Sequence, residues 1–465
     1  MRKLSYIAIM ACSLLAASCD MDIVPKGQST LQKTTDLELM LNSKTISGRP
    51  HETLGLVVNE GYGSGFTTIK KQIEAENTLT AIYLTYNENA DRGALATKDN
   101  TYGDLYSNVY HYNVVIDKID GADGDDNRKA SIKAEARISR SWNIFLAANI
   151  YARQYDAATA AEAGGVAYPE GTDVDTKPQL KLQECYELIL ADCSDEIIAQ
   201  LPDKGNVNRI TKAGGYAIRA TVLFQMKRYD EALAYAEKAL ALNSTIEDRS
   251  YIVDTENWNL LPTSENNFFY ISPLSDMTNN PQYERLSWET AELFEEGDYV
   301  LDYSTDGGYS PYWDDYYGYE NSGIDGCLEA YGDVYTNPWG LTVEQIMYLA
   351  AECDIRKGEI QKGLDMVNKV RSYRIHSDSY LTFTASSETD AMVLLQRAKF
   401  VECIGSFWNF FDRKRWNTED KYRKTITRDL QDAGTYSIAP DSKLWVFPFP
   451  LRVMQNNPTF KQNYE

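Results

Sequence analysis

The sequence predicts a protein dominated by α-helices, built from tetratricopeptide-like helix pairs and interrupted by one long loop-rich insertion. Three observations lead to this prediction. Apolar residues recur at helix-packing spacing through most of the chain, pairs of such segments recur with a unit of about 34 residues, and the pattern is lost between about residues 243 and 341. Helical units that recur far apart in one chain indicate a solenoid-like core with insertions.

The composition is that of an ordinary folded protein with an excess of acid. The chain has 465 residues, 43% of them hydrophobic and 25% charged, and 68 Asp and Glu outnumber 46 Lys and Arg to give a net charge of −22. This balance argues against binding to nucleic acid or to anionic lipid, because clustered basic side chains hold both. The length allows two to four domains or one large domain.

The N-terminal residues have the pattern of a secretory leader that ends at a cysteine. Two basic residues precede an apolar stretch from Leu4 to Leu15, and small residues up to Ser18 lead directly to Cys19. The apolar stretch is too short to span a bilayer core of about 30 Å. We expect residues 1–18 to be a lipoprotein signal peptide and Cys19 to be lipidated, with plain secretion as the alternative. Loss of the leader changes the net charge from −22 to −24, because two basic residues and no acidic ones leave with it.

Five cysteines follow Cys19, and we expect them to be free, buried thiols. An odd number cannot all pair, and no CxxC or Cys/His spacing suggests zinc. Two of them, eight residues apart, would lie about 12 Å apart along one helix, which is too far for a disulfide. The five are Cys185, Cys193, Cys327, Cys353 and Cys403.

The first long helices are predicted from residue 101 onward. Apolar residues at helical spacing predict a helix over Thr101–Ile119 that stops at Asp120-Gly121. Asp123–Asn127 resembles a calcium loop but lacks its central Gly and closing Glu, so we interpret it as a turn. A second, longer helix is predicted over Arg128–Tyr155, before the breakers that begin at Gly164-Gly165.

The repeat is clearest further along the chain. A helix is predicted over Leu182–Leu201, where a proline follows. Ala213–Met226 and Tyr229–Leu242 form the most periodic helix pair, with small residues that let the two helices approach closely. A similar pair is predicted at Glu344–Lys357 and Glu359–Arg371.

The insertion has a different composition from the helical parts. It is rich in Tyr, Trp, Asp, Gly and Asn, has no defensible period, and is most aromatic over Tyr309–Tyr319. A loop of this length is expected to be partly folded or functional. Aromatic faces beside Asp and Asn side chains favour sugar binding, because rings stack on the sugar while polar groups bond its hydroxyls.

Candidate ligand contacts therefore come mainly from the insertion. Each aromatic residue could instead fill a small core of the insertion or face a partner protein, and this alternative stays open. The candidates are Trp258, Tyr283, Trp288, Tyr312, Trp313, Asp314, Asp315, Tyr316, Tyr317 and Tyr319.

Six segments carry the most specific pattern in the chain. They are Tyr102–Ile119, Lys133–Arg140 (KAEARISR), Tyr216–Leu242, Met347–Arg371 (MYLAAECDIRKGEIQKGLDMVNKVR), Arg397–Trp416 and Leu444–Tyr464 (LWVFPFPLRVMQNNPTFKQNY). Taken in order, they resemble the SusD/RagB family of Bacteroidetes outer-membrane lipoproteins. The chain departs from the family pattern at Ser406 and Phe407, where Glu-Gly is usual, and it lacks Pro-Gly before Tyr464.

The resemblance implies a SusD-like fold with four tetratricopeptide-like helix pairs. We expect one domain over residues 19–465, with a helical core over about 30–242 and 342–416, the insertion over about 243–341, and a C-terminal segment over 417–465. Four charged residues in the matching segments are expected to be ion-pair partners within the scaffold. These are Glu135, Arg137, Asp412 and Arg415.

The resemblance also implies a function. Family members cover a SusC-like TonB-dependent transporter in the outer membrane, bind glycans or peptides and pass them inward, and are neither enzymes nor cofactor proteins. The acidic run Asp20-Met21-Asp22 resembles the family's surface-export signal, which implies a lipid-anchored protein outside the outer membrane. Family ligand sites also use the loop before the Tyr102 helix, which adds Tyr86 and Arg92 to the candidates.

Three other functions are alternatives to glycan uptake. Peptide capture would use backbone hydrogen bonds and apolar pockets, and the same aromatic residues could serve it. A scaffold that binds only its partner protein would turn the insertion toward that partner. A glycosidase needs two carboxylates facing a cleft, whereas Asp314 and Asp315 are adjacent, and no motif for hydrolysis or phosphate binding is present.

Overall fold

The structure is a computed structural model, and most of the chain beyond residue 30 is described by it. The described residues are 31–42, 44–64, 68–173, 175–251, 265–271, 284–301, 309–310, 322–330 and 337–465.

Short elements precede the helical core. The first helix is α1 (Thr34–Met40), followed by a π-helical turn over His51–Gly55 and the strand β1 (Gly61–Ser64). Three short helices then lead to the core, and Thr78 and Asp91 cap the second and third through their side-chain oxygens. These helices are α2 (Ile69–Glu74), α3 (Leu79–Leu84) and α4 (Arg92–Leu95).

The first half of the helical core confirms the predicted pairs with small changes at their ends. The helices are α5 (Asn100–Lys118), α6 (Asp126–Tyr151), α7 (Leu182–Asp192), α8 (Asp195–Ile198), α9 (Lys212–Gln225) and α10 (Tyr229–Leu242). Helix α5 packs on α6, α6 on α7, and α9 on α10. The segment interpreted as a turn contributes Asp125, which caps α6 by accepting a hydrogen bond from the Arg128 N–H.

Two predicted helix ends were wrong. The helix expected over Leu182–Leu201 is broken, because Cys193 ends α7 and Ser194 takes an extended conformation that starts α8. The helix expected to reach Tyr155 ends at Tyr151, where Ala152 becomes extended. There the buried Lys414 ammonium donates to the carbonyls of Asn149 and Ala152, which satisfies oxygens that the helix leaves open.

The second half of the core returns after the insertion. It comprises α12 (Val343–Arg356), α13 (Ile360–Arg371), α14 (Glu388–Glu402) and α15 (Trp408–Trp416). Helix α12 packs against α13, α14 and α10, so it joins the two halves of the core. The C-terminal segment adds the hairpin β7 (Ile426–Asp429) and β8 (Thr435–Ile438) and the short helix α16 (Leu451–Asn456).

The insertion is partly folded, as its length predicted. Its described elements are β2 (Asn267–Phe269), β3 (Glu284–Leu286), α11 (Trp288–Ala291), β4 (Tyr309–Ser310) and β5 (Leu328–Ala330), and β6 (Leu341–Thr342) leads into α12. An antiparallel sheet has the order β1-β3-β5-β4, and β2 pairs with β6. The insertion is therefore tied to the N-terminal strand and to the helical core.

The four predicted scaffold residues are confirmed as ion-pair partners. Glu135 is almost fully buried and accepts from Lys44 and Arg209. Arg137 pairs with Asp192 at 2.8 Å.

The other two belong to a second buried network. Arg415 binds both carboxylate oxygens of Glu352, at 2.7 and 2.9 Å, and also Asp412 at 2.9 Å. Because a buried charge is costly without a partner, these pairs fix the packing of α12 against α15.

The expected free thiols are also confirmed, since all five cysteines after Cys19 are free and buried. Across the described ranges, no helix combines the length and the apolar character needed to cross a membrane.

Candidate functional site

The most aromatic segment of the insertion joins two strands at one edge of the four-stranded sheet. Residues 311–321 lie outside the described residues, but their flanks do not. Strand β4 pairs antiparallel with β5, with Tyr309 opposite Ala330 and Ser310 opposite Glu329. On the other side of β5 lies β3, whose first residue directly follows Tyr283. The chain therefore leaves the sheet at Ser310, the end of the edge strand β4, and returns to the neighbouring strand β5 at Leu328.

Most predicted ligand contacts lie outside the described residues, and they stay predictions. These are Trp258, Tyr283, Tyr312, Trp313, Asp314, Asp315, Tyr316, Tyr317 and Tyr319, together with the lipidation site Cys19.

Trp288 is the insertion candidate that the structure places. It is the first residue of α11 and is half-buried. Its indole N–H donates to the Asp429 carbonyl at 2.9 Å, and its backbone N–H donates to the Tyr62 hydroxyl at 3.4 Å. Burial raises the pKa of Tyr62, and the nearby Glu289 carboxylate adds to that effect. A ligand could therefore use the ring surface of Trp288 but not its N–H group.

Arg92, predicted as a ligand contact, is a scaffold residue in the structure. Its side chain is 1% exposed, and its guanidinium donates to the carbonyls of Val446 at 2.8 Å and Lys443 at 2.9 Å. The same group lies 4.3 Å from the ring centre of Tyr464. The guanidinium thus joins α4 to the C-terminal segment and is not presented to solvent.

Tyr86, also predicted as a ligand contact, is buried as well. It is 6% exposed and has a φ of 49°, an unusual conformation for a bulky residue. Burial raises the pKa of its hydroxyl to about 12. Its ring is covered by the guanidinium of Arg428, so the residue belongs to the buried interior and is not presented to a ligand.

Arg428 connects the C-terminal hairpin to α3, next to the contact between the hairpin and the insertion. Its guanidinium donates to the Tyr83 and Leu84 carbonyls at 2.9 Å each and to the side-chain oxygen of Asn59 at 2.8 Å. The next residue, Asp429, accepts the indole N–H of Trp288. Two consecutive residues of β7 therefore contact both α3 and α11.

A pocket that the sequence did not predict opens next to α3. It has a volume of about 230 Å³ and combines aromatic walls with a polar rim. Its lining comes from widely separated segments, which is why no local pattern reveals it. The lining residues are Gly48, Glu52, Thr53, Leu54, Leu56, Leu79, Thr80, Tyr83, Ala96, Lys98, Asp99, Asn100, Thr101, Ile150, Tyr151, Trp339, Phe447 and Pro448.

In the described ranges, no group of three or more His, Cys, Asp or Glu side chains is arranged to hold a metal ion.

Asp99, the acidic residue deepest in the pocket, already has hydrogen-bond partners within the protein. Its oxygens accept from the Tyr102 N–H at 3.0 Å and the Tyr151 hydroxyl at 2.7 Å. Burial raises the pKa of this carboxyl.

Comparison with known proteins finds a family match in the N-terminal part of the chain. Residues 26–223 match the SusD-like family whose description reads "Starch-binding associating with outer membrane". No curated protein matches the chain by sequence.

Solved structures extend the likeness over most of the chain. A SusD superfamily protein from Bacteroides thetaiotaomicron superposes with a TM-score of 0.68 at 16% identity and covers 93% of this chain and 99% of its own. A SusD-like carbohydrate binding protein from Bacteroides vulgatus gives 0.65 at 15% identity, with 93% and 98% covered. A SusD superfamily protein from Bacteroides fragilis gives 0.62 at 14% identity, with 93% and 100% covered.

These relationships define a helical-repeat protein with the SusD fold. The family match covers residues 26–223, and the fold of the chain is SusD-like.

Proposed function

We propose that this protein is a cell-surface lipoprotein that binds a glycan and delivers it to a SusC-like TonB-dependent transporter of the outer membrane. The observation that carries the proposal is the match of residues 26–223 to a family described as starch-binding and associated with the outer membrane. Lipidation of Cys19, after removal of the leader over residues 1–18, supplies the membrane anchor in this proposal.

The chemistry of the insertion supports a glycan as the ligand. The segment over residues 311–321 carries four tyrosines and a tryptophan beside two aspartates. The strand directly before it, β4, pairs with β5 at the edge of the four-stranded sheet. Stacking on sugar rings needs such apolar faces, while carboxylates accept hydrogen bonds from hydroxyl groups. In this proposal the protein binds its ligand and does not cleave it.

Direct binding measurements test the proposal. Purified protein is titrated calorimetrically with a panel of soluble polysaccharides and with a peptide library. We expect saturable binding of at least one polysaccharide, weakened at least tenfold by Trp313→Ala. Tyr110→Ala is the matched control, because Tyr110 is an exposed aromatic residue on α5 outside the insertion. Binding of peptides but of no polysaccharide would replace the proposal with peptide uptake, and no binding of either would favour a protein-only scaffold.

The anchor is tested separately in cells. Metabolic labelling with a radioactive fatty acid should mark the wild-type protein and not a Cys19→Ala variant. Protease added to intact cells should degrade the wild-type protein if it lies on the outer surface. Unlabelled wild-type protein in the culture medium would instead show plain secretion.

A further inference from the structure

The C-terminal end of α15 carries a nearly buried guanidinium that has no acidic partner among the described residues. Arg413 is 6% exposed, and the only acceptor that these residues offer its guanidinium is the Tyr422 carbonyl, at 3.4 Å. The neighbouring acid, Asp412, is already bound by Lys399 at 2.5 Å and by Arg415 at 2.9 Å. Because a guanidinium has five N–H donors, most of the donors of Arg413 are left without a partner in the protein.

A second cation lies beside Arg413. Lys424 follows Tyr422 by two residues in the loop between α15 and β7, and it is exposed and forms no ion pair with the residues that the structure describes. Partial burial lowers its pKa to about 8, and the positive charge of Arg413 contributes to that shift. The carbonyl end of α15 supplies only about half an elementary charge of opposite sign. The two positive charges are therefore not balanced by the protein.

An unpartnered amide lies next to these cations. Asn417 is 7% exposed, and in the described part of the chain neither its Oδ1 nor its Nδ2 atom has a hydrogen-bond partner. Its backbone N–H donates to the Arg413 carbonyl at 2.9 Å, so the two side chains are helical neighbours four residues apart. A buried amide with both polar atoms unpaired is costly. A ligand that pairs with Arg413 could satisfy this amide with one acceptor and one donor of its own.

We propose that Arg413, Asn417 and Lys424 form a site for one small oxyanion that carries its own hydroxyl group. The two cations supply the charge, and the planar N–H groups of Arg413 match a pair of anionic oxygens. The Nδ2 group of Asn417 donates a further hydrogen bond, and its Oδ1 atom accepts from the hydroxyl of the ligand. Hydrogen phosphate and a 2-hydroxycarboxylate have this chemistry, whereas sulfate and acetate lack the hydroxyl. The site goes beyond the proposed function, because it lies outside the insertion and requires no glycan.

The test titrates the purified protein at pH 7 with two matched pairs of anions at constant ionic strength. Hydrogen phosphate is compared with sulfate, and lactate with acetate, by calorimetry. Lys424→Gln removes the exposed cation of the site. Lys204→Gln is the matched control, because Lys204 is exposed in the loop that precedes α9, whereas the Arg415 guanidinium packs on Phe224 near the other end of that helix.

We expect at least one of phosphate and lactate to bind saturably, at least tenfold more tightly than its match without a hydroxyl group. Lys424→Gln should weaken this binding at least tenfold, and Lys204→Gln should leave it unchanged. A wild-type protein that binds neither phosphate nor lactate overturns the inference, as does a Lys424→Gln variant that binds them like wild type.

The amide is tested by Asn417→Leu, which removes both unpartnered atoms and keeps a side chain of similar size. This variant should bind the two members of each pair with similar affinity, because the acceptor for the hydroxyl group is lost. A folded variant that keeps the preference of wild type overturns the inference. If Asn417→Leu does not fold, Asn417→Ala replaces it with the same two outcomes.

The oxyanion site and glycan uptake are tested by different variants. Trp313→Ala should weaken polysaccharide binding and leave the binding of all four anions unchanged, whereas Lys424→Gln should do the reverse. A protein that binds polysaccharide but neither phosphate nor lactate therefore keeps the proposed function and loses the oxyanion site.

Discussion

The guanidinium of Arg428 lies 4.4 Å from the ring centre of Tyr86, a residue held at a φ of 49°. Arg428 is fully buried, and it also donates to the carbonyls of Leu56, Tyr83 and Leu84. Two of these carbonyls belong to α3 and one follows the π-helical turn near the N-terminus, whereas Arg428 lies in the C-terminal hairpin. One buried side chain thus joins segments that are more than 300 residues apart in the sequence.

Replacing Arg428 should destabilise the fold. In Arg428→Met the three carbonyls lose their donor, and each buried acceptor left without one costs about 1–3 kcal/mol. We expect the free energy of unfolding, measured with urea, to fall by at least about 3 kcal/mol. Arg452→Met is the control, because Arg452 is exposed on α16 and should change stability by less than about 0.5 kcal/mol. Equal effects of the two substitutions would show that the Arg428 bonds are not needed.

Glu352 should be the most sensitive carboxylate in the helical core. It is fully buried, binds Arg415 through both oxygens and accepts from the indole of Trp416 at 3.0 Å. Despite its burial, the adjacent Arg415 and Arg356 hold its pKa far below the usual range. Glu352→Gln removes the carboxylate that Arg415 and Arg356 share, so that Arg415 keeps only Asp412 as a counter-charge, and we expect a loss of about 3–5 kcal/mol in urea unfolding.

The matched change for Glu352 is Glu231→Gln, which breaks an exposed pair with Arg228 at 2.6 Å. Exposed pairs contribute about 0–1 kcal/mol, so this variant should be nearly as stable as wild type. Similar stability of Glu352→Gln and wild type would contradict the structural role given to the Arg415 network.

Asp298 should make the protein less stable as pH rises through weakly acidic values. Burial raises its pKa from 3.8 to about 6, although Arg249 and Arg374 oppose the shift. Between these two values the folded state binds more protons than the unfolded state, so stability falls with rising pH. The contribution is fully present below pH 3.8 and is lost above about pH 6.

An amide at position 298 tests this pH dependence. Asn keeps an oxygen for the Val300 N–H, which Asp298 binds at 3.1 Å, and removes the charge. Asp298→Asn should gain up to about 2–3 kcal/mol over wild type at pH 7–8 and show a flatter pH dependence between pH 4 and 6. Urea midpoints measured from pH 4 to 8 give the result, with the exposed Asp432→Asn as control. Parallel curves for Asp298→Asn and wild type would contradict it.

The thiols should be inert until the protein unfolds. All five cysteines after residue 19 are buried, and burial raises the pKa of both Cys185 and Cys193 to about 12. The thiolate is the reactive form, so a chain beginning at residue 20 should show no rapid labelling by a maleimide at pH 8 in the native state. Five labels should be added in urea, counted by mass spectrometry. Rapid labelling of any native thiol would show that its environment opens.

The helical pairs could be predicted because their information is local. Tyr229–Leu242 has the predicted bounds, and its partner, predicted at Ala213–Met226, is shifted by a single residue to Lys212–Gln225. In both, the spacing of small and apolar residues records which face packs. The early end of α6 could not be predicted, because the group that completes it, the Lys414 ammonium, comes from more than 260 residues further along the chain.

The candidate site was less predictable for the same reason. The strands β1 and β3 pair Gly61 with Leu286, and strands of two to four residues carry no readable alternation. Arg92 has the residue type of a ligand contact, but its partners lie about 350 residues away and bury it. The composition of the insertion did indicate where to look, since aromatic and acidic residues concentrate over 309–319.

The β4–β5 pair has a consequence for how such proteins diversify. Its hydrogen bonds join backbone groups, so they do not depend on which side chains the two strands carry. Substitution along these strands is therefore not constrained by the pairing itself. Selection can change the side chains at this edge of the sheet while the helical frame remains unchanged.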